Sequence, residues 1–201
     1  MGRRRLDEKI DEKIMAEVMK QTVKMGTGLV STKEIAKRLG ISEPVIFTHF
    51  KTKADLMNAT FVFAWKPFLR DPILEVVKEH GRDTRFEYYK AAMEETLTWK
   101  KETVYIHHYL ASSYFNAAVV NKTTASYLKS LTGILQDFNG TIPENDFTLI
   151  ARSYVEERID LAKIFVTGDF SINDDNLRIA FNLLTGGLQS AIQEDATHYQ
   201  K

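Results

Sequence analysis

Apolar residues recur along this chain at intervals of three and four almost from end to end, the spacing of helices with one buried face, and no strand-rich region interrupts them. Ile10, Ile14, Val18 and Met25 mark one side of a first helix from about Leu6 to Met25, closed by the Gly26-Thr27-Gly28 break. A denser pattern follows. Ser31 and Glu34 stand in the S-x-x-E relation that lets each satisfy an orphan amide at a helix start, so a helix opens near Thr32. Ile35, Ala36 and Leu39 share its inner face, and Gly40 supplies the left-handed residue that ends it. Ser42 is an N-cap candidate for a second short helix with Pro44 in its first turn, where a missing amide hydrogen costs little. Ile41, Val45, Ile46 and Phe50 tie this helix to the first, which leaves Glu43, Pro44, Phe47, Thr48 and His49 to face outward. Thr52 and Asp55 repeat the capping relation and start a third helix at Lys53, expected to reach about Trp65 before Pro67 and Pro72 interrupt it.

Two short helices across a glycine turn, followed at once by a third, form a helix-turn-helix suited to reading DNA. Ala36 permits close helix approach and Gly40 makes the turn. The continuation Pro44-Val45-Ile46-Phe47-Thr48-His49-Phe50-Lys51-Thr52-Lys53-Ala54-Asp55-Leu56 resembles the signature of TetR-family transcriptional repressors. Phe47 departs from it, because the family usually has tyrosine there; the hydroxyl that often touches a phosphate is gone, while packing against the sugar-phosphate backbone is kept. The resemblance covers residues 7 to 60. It implies an all-α chain in which a three-helix helix-turn-helix DNA-binding domain, residues 1–55, precedes a helical ligand-binding and dimerisation domain, residues 56–201. On that arrangement Glu43, Pro44, Val45 and Thr48 face base edges, with Pro44 and Val45 able to touch a thymine methyl and Glu43 able to accept from cytosine. Thr32, Lys33, Phe47, His49, Lys51 and Lys53 contact the backbone and set register, Lys53 beside a helix N-terminus that also favours phosphate.

A formal net charge of zero conceals an asymmetry that agrees with this placement. Residues 1 to 55 carry a balance of +4 and residues 56 to 201 a balance of −4, so the basic end is the helix-turn-helix end. Local positive charge governs counterion release and hence DNA affinity. Much of the excess lies in Arg3, Arg4 and Arg5, either a solvated terminus or an arm reaching into a minor groove.

Beyond Trp65 the periodicity predicts helices over 73–80, 83–99, 102–119 and 123–138, a loop over 139–146, and two long helices over about 147–167 and 174–196 joined by residues 168–173. The last pair offers stripes for self-association. Ile150 and Tyr154 lie on one helix, and Leu177, Phe181, Leu184, Leu188 and Ile192 on the other, with Gly186 and Gly187 leaving room for an approaching helix. Periodicity alone equally allows both to close the chain's own core; the resemblance implies that they form a four-helix bundle in a homodimer.

Thirteen of the chain's twenty-two aromatic residues fall between Phe61 and Tyr127, a density suited either to a core or to a pocket for a small hydrophobic or aromatic effector. The resemblance implies such an effector, with Phe61, Trp65, Tyr89, Met93, Trp99, Tyr105, His107, Tyr109, Asn116 and Arg158 as candidate contacts. No cofactor is implied. Adjacent His107 and His108 point about 100 degrees apart on a helix, and His49, His80 and His198 stand alone, so no metal site is expected. With no cysteine there is neither disulfide nor thiolate ligand. No H-E-x-x-H, P-loop, dinucleotide fingerprint or serine elbow is present, so an enzyme on a helical scaffold has no motif behind it. A helix-turn-helix adaptor without an inducer is the other alternative. No run of about 18 apolar residues occurs and the start lacks a signal-peptide core, so a cytoplasmic protein without membrane association is expected.

Overall fold

The computed structural model describes residues 2–69, 85–139, 144–168 and 170–183, and these are helical with no strand among them. The helices expected over 73–80 and beyond residue 183, with Leu184, Leu188 and Ile192, lie outside the described residues. Helix α1, Gly2–Met25, begins earlier than periodicity predicts and stops where Gly26 turns to φ 79°, its amide closing on the Thr22 carbonyl at 2.7 Å. A 3-10 turn, Thr27–Leu29, leads to α2, Thr32–Leu39. The Ser31 hydroxyl accepts from the Glu34 amide, and the Ser31 amide donates to the Gln21 side chain at 2.9 Å, which pins the start of α2 to α1. Gly40 adopts φ 67°, and the Ile41 amide bonds back to the Ala36 carbonyl, the left-handed helix ending that the sequence predicts.

Helix α3, Glu43–His49, has Ser42 at its N-cap with an extended backbone, yet the Ser42 hydroxyl makes no capping bond, contrary to the expectation from sequence. Helix α4, Lys53–Trp65, opens with the complete Thr52 and Asp55 capping box and ends at the residue expected. A 3-10 turn, Lys66–Leu69, follows it and contains Pro67.

Helix α5 is Arg85–Thr98 and α6 is Lys100–Leu110. The helix expected over 102–119 breaks at 110 for a local reason. The Ser112 hydroxyl donates to the Tyr109 carbonyl and accepts from the Tyr114 amide, and the Asn116 side chain then accepts from the Ala118 and Val119 amides to start α7, Ala117–Asn139. Helix α8 is Glu144–Thr167, and α9 runs over 174–183.

The chain divides into two compact units. The first contains α1 to α4, α6 and the beginning of α7 up to Thr123. Within it α1 packs on α4 and α2, and α2 packs on α3, with Ile14, Val18, Ile35, Ile46, Leu56 and Phe61 fully buried. The second contains α5, the remainder of α7, α8 and α9. Here α5 packs on α8, with Tyr89, Met93, Ala151, Ile159 and Ala162 buried. Lys90 of α5 meets Asp174 at the head of α9 at 2.6 Å.

Candidate nucleic-acid interface

Helix α3 is held by its inner side. Ile46 is fully buried and Phe50 nearly so, and α2, whose Ile35 and Ala36 are buried, packs against this helix. What remains outward is an edge on which Pro44, Phe47 and Thr48 are exposed, with Glu43, Val45 and His49 half-buried. Phe47 keeps 39% of its surface open, a large ring facing solvent. The polar groups of this edge are pre-arranged. The Thr32 hydroxyl donates to the Glu43 carboxylate at 2.5 Å, linking the first turns of α2 and α3. The Thr48 hydroxyl donates to the Pro44 carbonyl within α3 at 3.0 Å. His49 Nδ1 lies 2.6 Å from the Asp11 carboxylate, tying the end of α3 to α1.

Lys33 and Lys51 are exposed, and the Lys53 ammonium lies 5.5 Å from the centre of the Tyr114 ring, in cation-π range. Arg38, also exposed on α2, is held by Glu34 at 3.1 Å and Glu17 at 2.8 Å, hydrogen bonds that raise its pKa further. Sequence reasoning missed Asp11 and Tyr114 as partners of His49 and Lys53. Neither stands near its partner in the chain, and no local spacing announces them.

The ten candidate effector contacts fall in different units. Phe61, Trp65, Tyr105 and Tyr109 come together in the first, with Phe61 and Tyr109 stacked at 4.7 Å, Phe61 and Trp65 at 6.0 Å, and Tyr105 and Tyr109 at 6.1 Å. The Tyr105 hydroxyl donates to the Met57 carbonyl and the Tyr109 hydroxyl to the Asn58 side chain, each at 2.6 Å. Burial pushes both phenols above their ordinary range. Asn116 is exposed and its side chain caps α7, while half-buried His107 meets the His108 ring edge-on at 5.3 Å. Tyr89, Met93, Trp99 and Arg158 belong to the second unit, where Trp99 is exposed and the other three are buried. Arg158 Nη2 donates to the Tyr127 hydroxyl at 2.8 Å. Among the described residues no group of three or more His, Cys, Asp or Glu could hold a metal ion, and no helix is long and apolar enough to cross a membrane.

Residues 14–60, from the middle of α1 into α4, match the sequence profile described as bacterial regulatory proteins, tetR family. Over this segment the chain is similar to the TetR family. No curated protein matches it. Solved structures share its fold at low identity. A TetR-family transcription regulator from Marinobacter aquaeolei VT8 is 16% identical with a TM-score of 0.66, over 92% of this chain and 96% of that one. A TetR-family regulator from Shewanella sp. PV-4 is 18% identical with a TM-score of 0.67, over 87% and 95%. AibR, solved in complex with isovaleryl coenzyme A and operator DNA, is 18% identical with a TM-score of 0.57, over 87% and 95%. The matched segment contains α2, the Gly40 turn and α3, which together form the helix-turn-helix.

Of the residues expected at a dimer interface, Tyr154 and Leu177 are buried within the second unit, and Phe181 meets the rings of Phe86 and Tyr89 there. The Ile150 side chain lies outside the described set.

Proposed function

We propose that this chain is a ligand-responsive repressor of the TetR family that binds a palindromic operator as a homodimer and is released by a small hydrophobic or aromatic effector. The observation that carries the DNA part is the division of α3: Ile46 is seated in the core while Pro44, Phe47 and Thr48 stand open, and Lys33 and Lys51 are exposed as well. Residues 1–55 serve as the reading head and residues 56–201 as the ligand-binding and dimerisation part. Pro44, Val45, Thr48 and Glu43 read base edges, and Thr32, Lys33, Phe47, His49, Lys51 and Lys53 hold the backbone. Two such heads on a twofold axis suit half-sites about 34 Å apart.

The effector part draws support from AibR, which was captured with both an acyl coenzyme A and operator DNA. Within the first unit, α4 is tied to α6 by the Tyr105 and Tyr109 hydroxyls, so a ligand that prefers another position of α6 carries α4, and the reading head with it. It can do so only through its different affinities for the two states. The protein is expected to act in the cytoplasm.

Selection of bound sequences from random duplex DNA tests this reading. One enriched palindrome, lost in Pro44→Ala and Thr48→Ala, supports it. Enrichment of no sequence, or the same enrichment in both variants, overturns it. With the palindrome in hand, effector candidates are scored by release of the labelled operator.

A further inference from the structure

The second unit contains a buried hydroxyl without a hydrogen-bond partner among the described residues. Tyr89 is fully buried, and among the described residues its hydroxyl has no hydrogen-bond partner, although buried polar groups are paired in nearly all native structures. A phenylalanine would fill the same space without that cost. Close enough for its charge to act on the hydroxyl is Arg158, itself only 3% exposed. The Arg158 guanidinium is oriented by its bond to Tyr127 and by the Tyr127 and Tyr154 rings, 5.7 Å and 6.0 Å from its central carbon.

Both groups are donors. A guanidinium has no acceptor, and burial holds the Tyr89 phenol well above its ordinary titration range, so it keeps its proton. Their complement is an oxygen acceptor, and a negatively charged one gains most beside a fixed cation in a dry setting. Met93, Leu131 and Ala162, each one turn along its own helix from Tyr89, Tyr127 and Arg158, are buried and apolar.

We propose that Tyr89 and Arg158 form the head-group site of the effector, and that the effector is a small organic acid with an apolar body whose carboxylate accepts from both. This rests on the ligand-responsive reading above and narrows it to one ligand class.

The test is thermal melting of the full chain with octanoate, phenylacetate, benzoate and butanoate, each paired with its neutral amide. At least one acid is expected to raise Tm while its amide does not. Tyr89→Phe should bind that acid about tenfold more weakly or worse, and should melt no lower than the parent without ligand. Tyr127→Phe serves beside it should Arg158→Met fail to fold, because it loosens the guanidinium without removing the charge. No response to any acid, amides as effective as acids, or unchanged acid affinity in Tyr89→Phe overturns the inference. Operator release by a neutral molecule alone sinks the acid assignment and leaves the repressor reading standing. Failure to enrich any operator sinks the repressor reading, while acid binding is judged by melting alone.

Discussion

The Tyr105 hydroxyl donates to the main-chain carbonyl of Met57 across 2.6 Å, joining residues 48 apart in sequence, and both side chains are fully buried. The Thr60 hydroxyl lies against the same phenol and donates onward to the Leu56 carbonyl at 2.7 Å. Tyr105→Phe keeps the ring and removes the hydroxyl, with its bond to Met57 and its contact with Thr60. The expected loss is about 1 kcal/mol of stability, seen as a drop in Tm of roughly 2–4 °C by circular dichroism. An unchanged melting curve would mean that the α4 to α6 tie contributes nothing.

The same buried phenols set a direction for alkaline pH. Tyr89, Tyr105 and Tyr109 all have folded-state pKa values raised above the ordinary 10.0, mainly because burial disfavours the phenolate. Below pH 10 both folded and unfolded chains hold these protons, so the contribution to stability is complete. As pH climbs past 10 the unfolded chain releases them while the folded one does not, and stability falls. Urea midpoints measured from pH 8 to 11 should therefore decline, with a shallower decline in Tyr105→Phe. Equal slopes in parent and variant would refute the assignment.

Gly40 offers a cleaner backbone experiment. Its φ is 67°, and a Cβ built there would meet nothing within 4 Å, so Gly40→Ala is penalised by conformation alone. A loss of about 1 kcal/mol is expected. Gly28 also has open space around a Cβ but no positive φ, so Gly28→Ala should be neutral or slightly stabilising in the same denaturation series.

These examples mark what could be read from sequence. The capping box of Thr52 and Asp55, the Gly40 turn and the inward Ile35, Ala36 and Ile46 were legible because each is a local relation within one or two turns. The break at Leu110 was not, because apolar periodicity continues across it while Ser112 and Asn116 redirect the backbone by side-chain hydrogen bonds. Ser42 occupies the right position for a cap, yet its hydroxyl points to no amide, and instead Glu43 is anchored by Thr32 from α2. For the site, chemistry-bearing residues could be named but not grouped. Whether Phe61 belongs with Tyr109 or Tyr89 with Arg158 depends on packing between helices far apart in sequence, which periodicity does not encode.

On the DNA side, phosphate and base contacts separate by salt. Lys51→Ala should weaken binding to every sequence and reduce the slope of log K against log salt by about one. Thr48→Ala should leave that slope alone and relax preference at one base pair, by about 1–3 kcal/mol of discrimination. Its hydroxyl is engaged with the Pro44 carbonyl in the free protein, a bond that leaves the oxygen able to accept and the methyl exposed beside Pro44. Fluorescence anisotropy over a salt series on the selected operator and its single-base variants measures both. A change of slope in Thr48→Ala and none in Lys51→Ala would reverse their roles.

Self-association can be separated from core packing on α9 itself. Leu177 and Ala180 are buried within their own unit, whereas Ile179 and Leu183, four residues apart and thus on one face, keep 59% and 68% of their surface open. Open aliphatic side chains at helical spacing are costly on a lone subunit and suit a covered surface. If the homodimer uses this helix, Leu183→Glu places a charge at the covered face and should shift sedimentation toward the monomer while the Tm of the subunit changes little. Leu177→Glu places the charge inside the unit and should lower Tm sharply whatever the assembly state. A parent that sediments as a monomer at micromolar concentration, or a Leu183→Glu variant that remains fully dimeric, would remove α9 from the interface, and the two-headed reading of a palindrome would need another twofold contact.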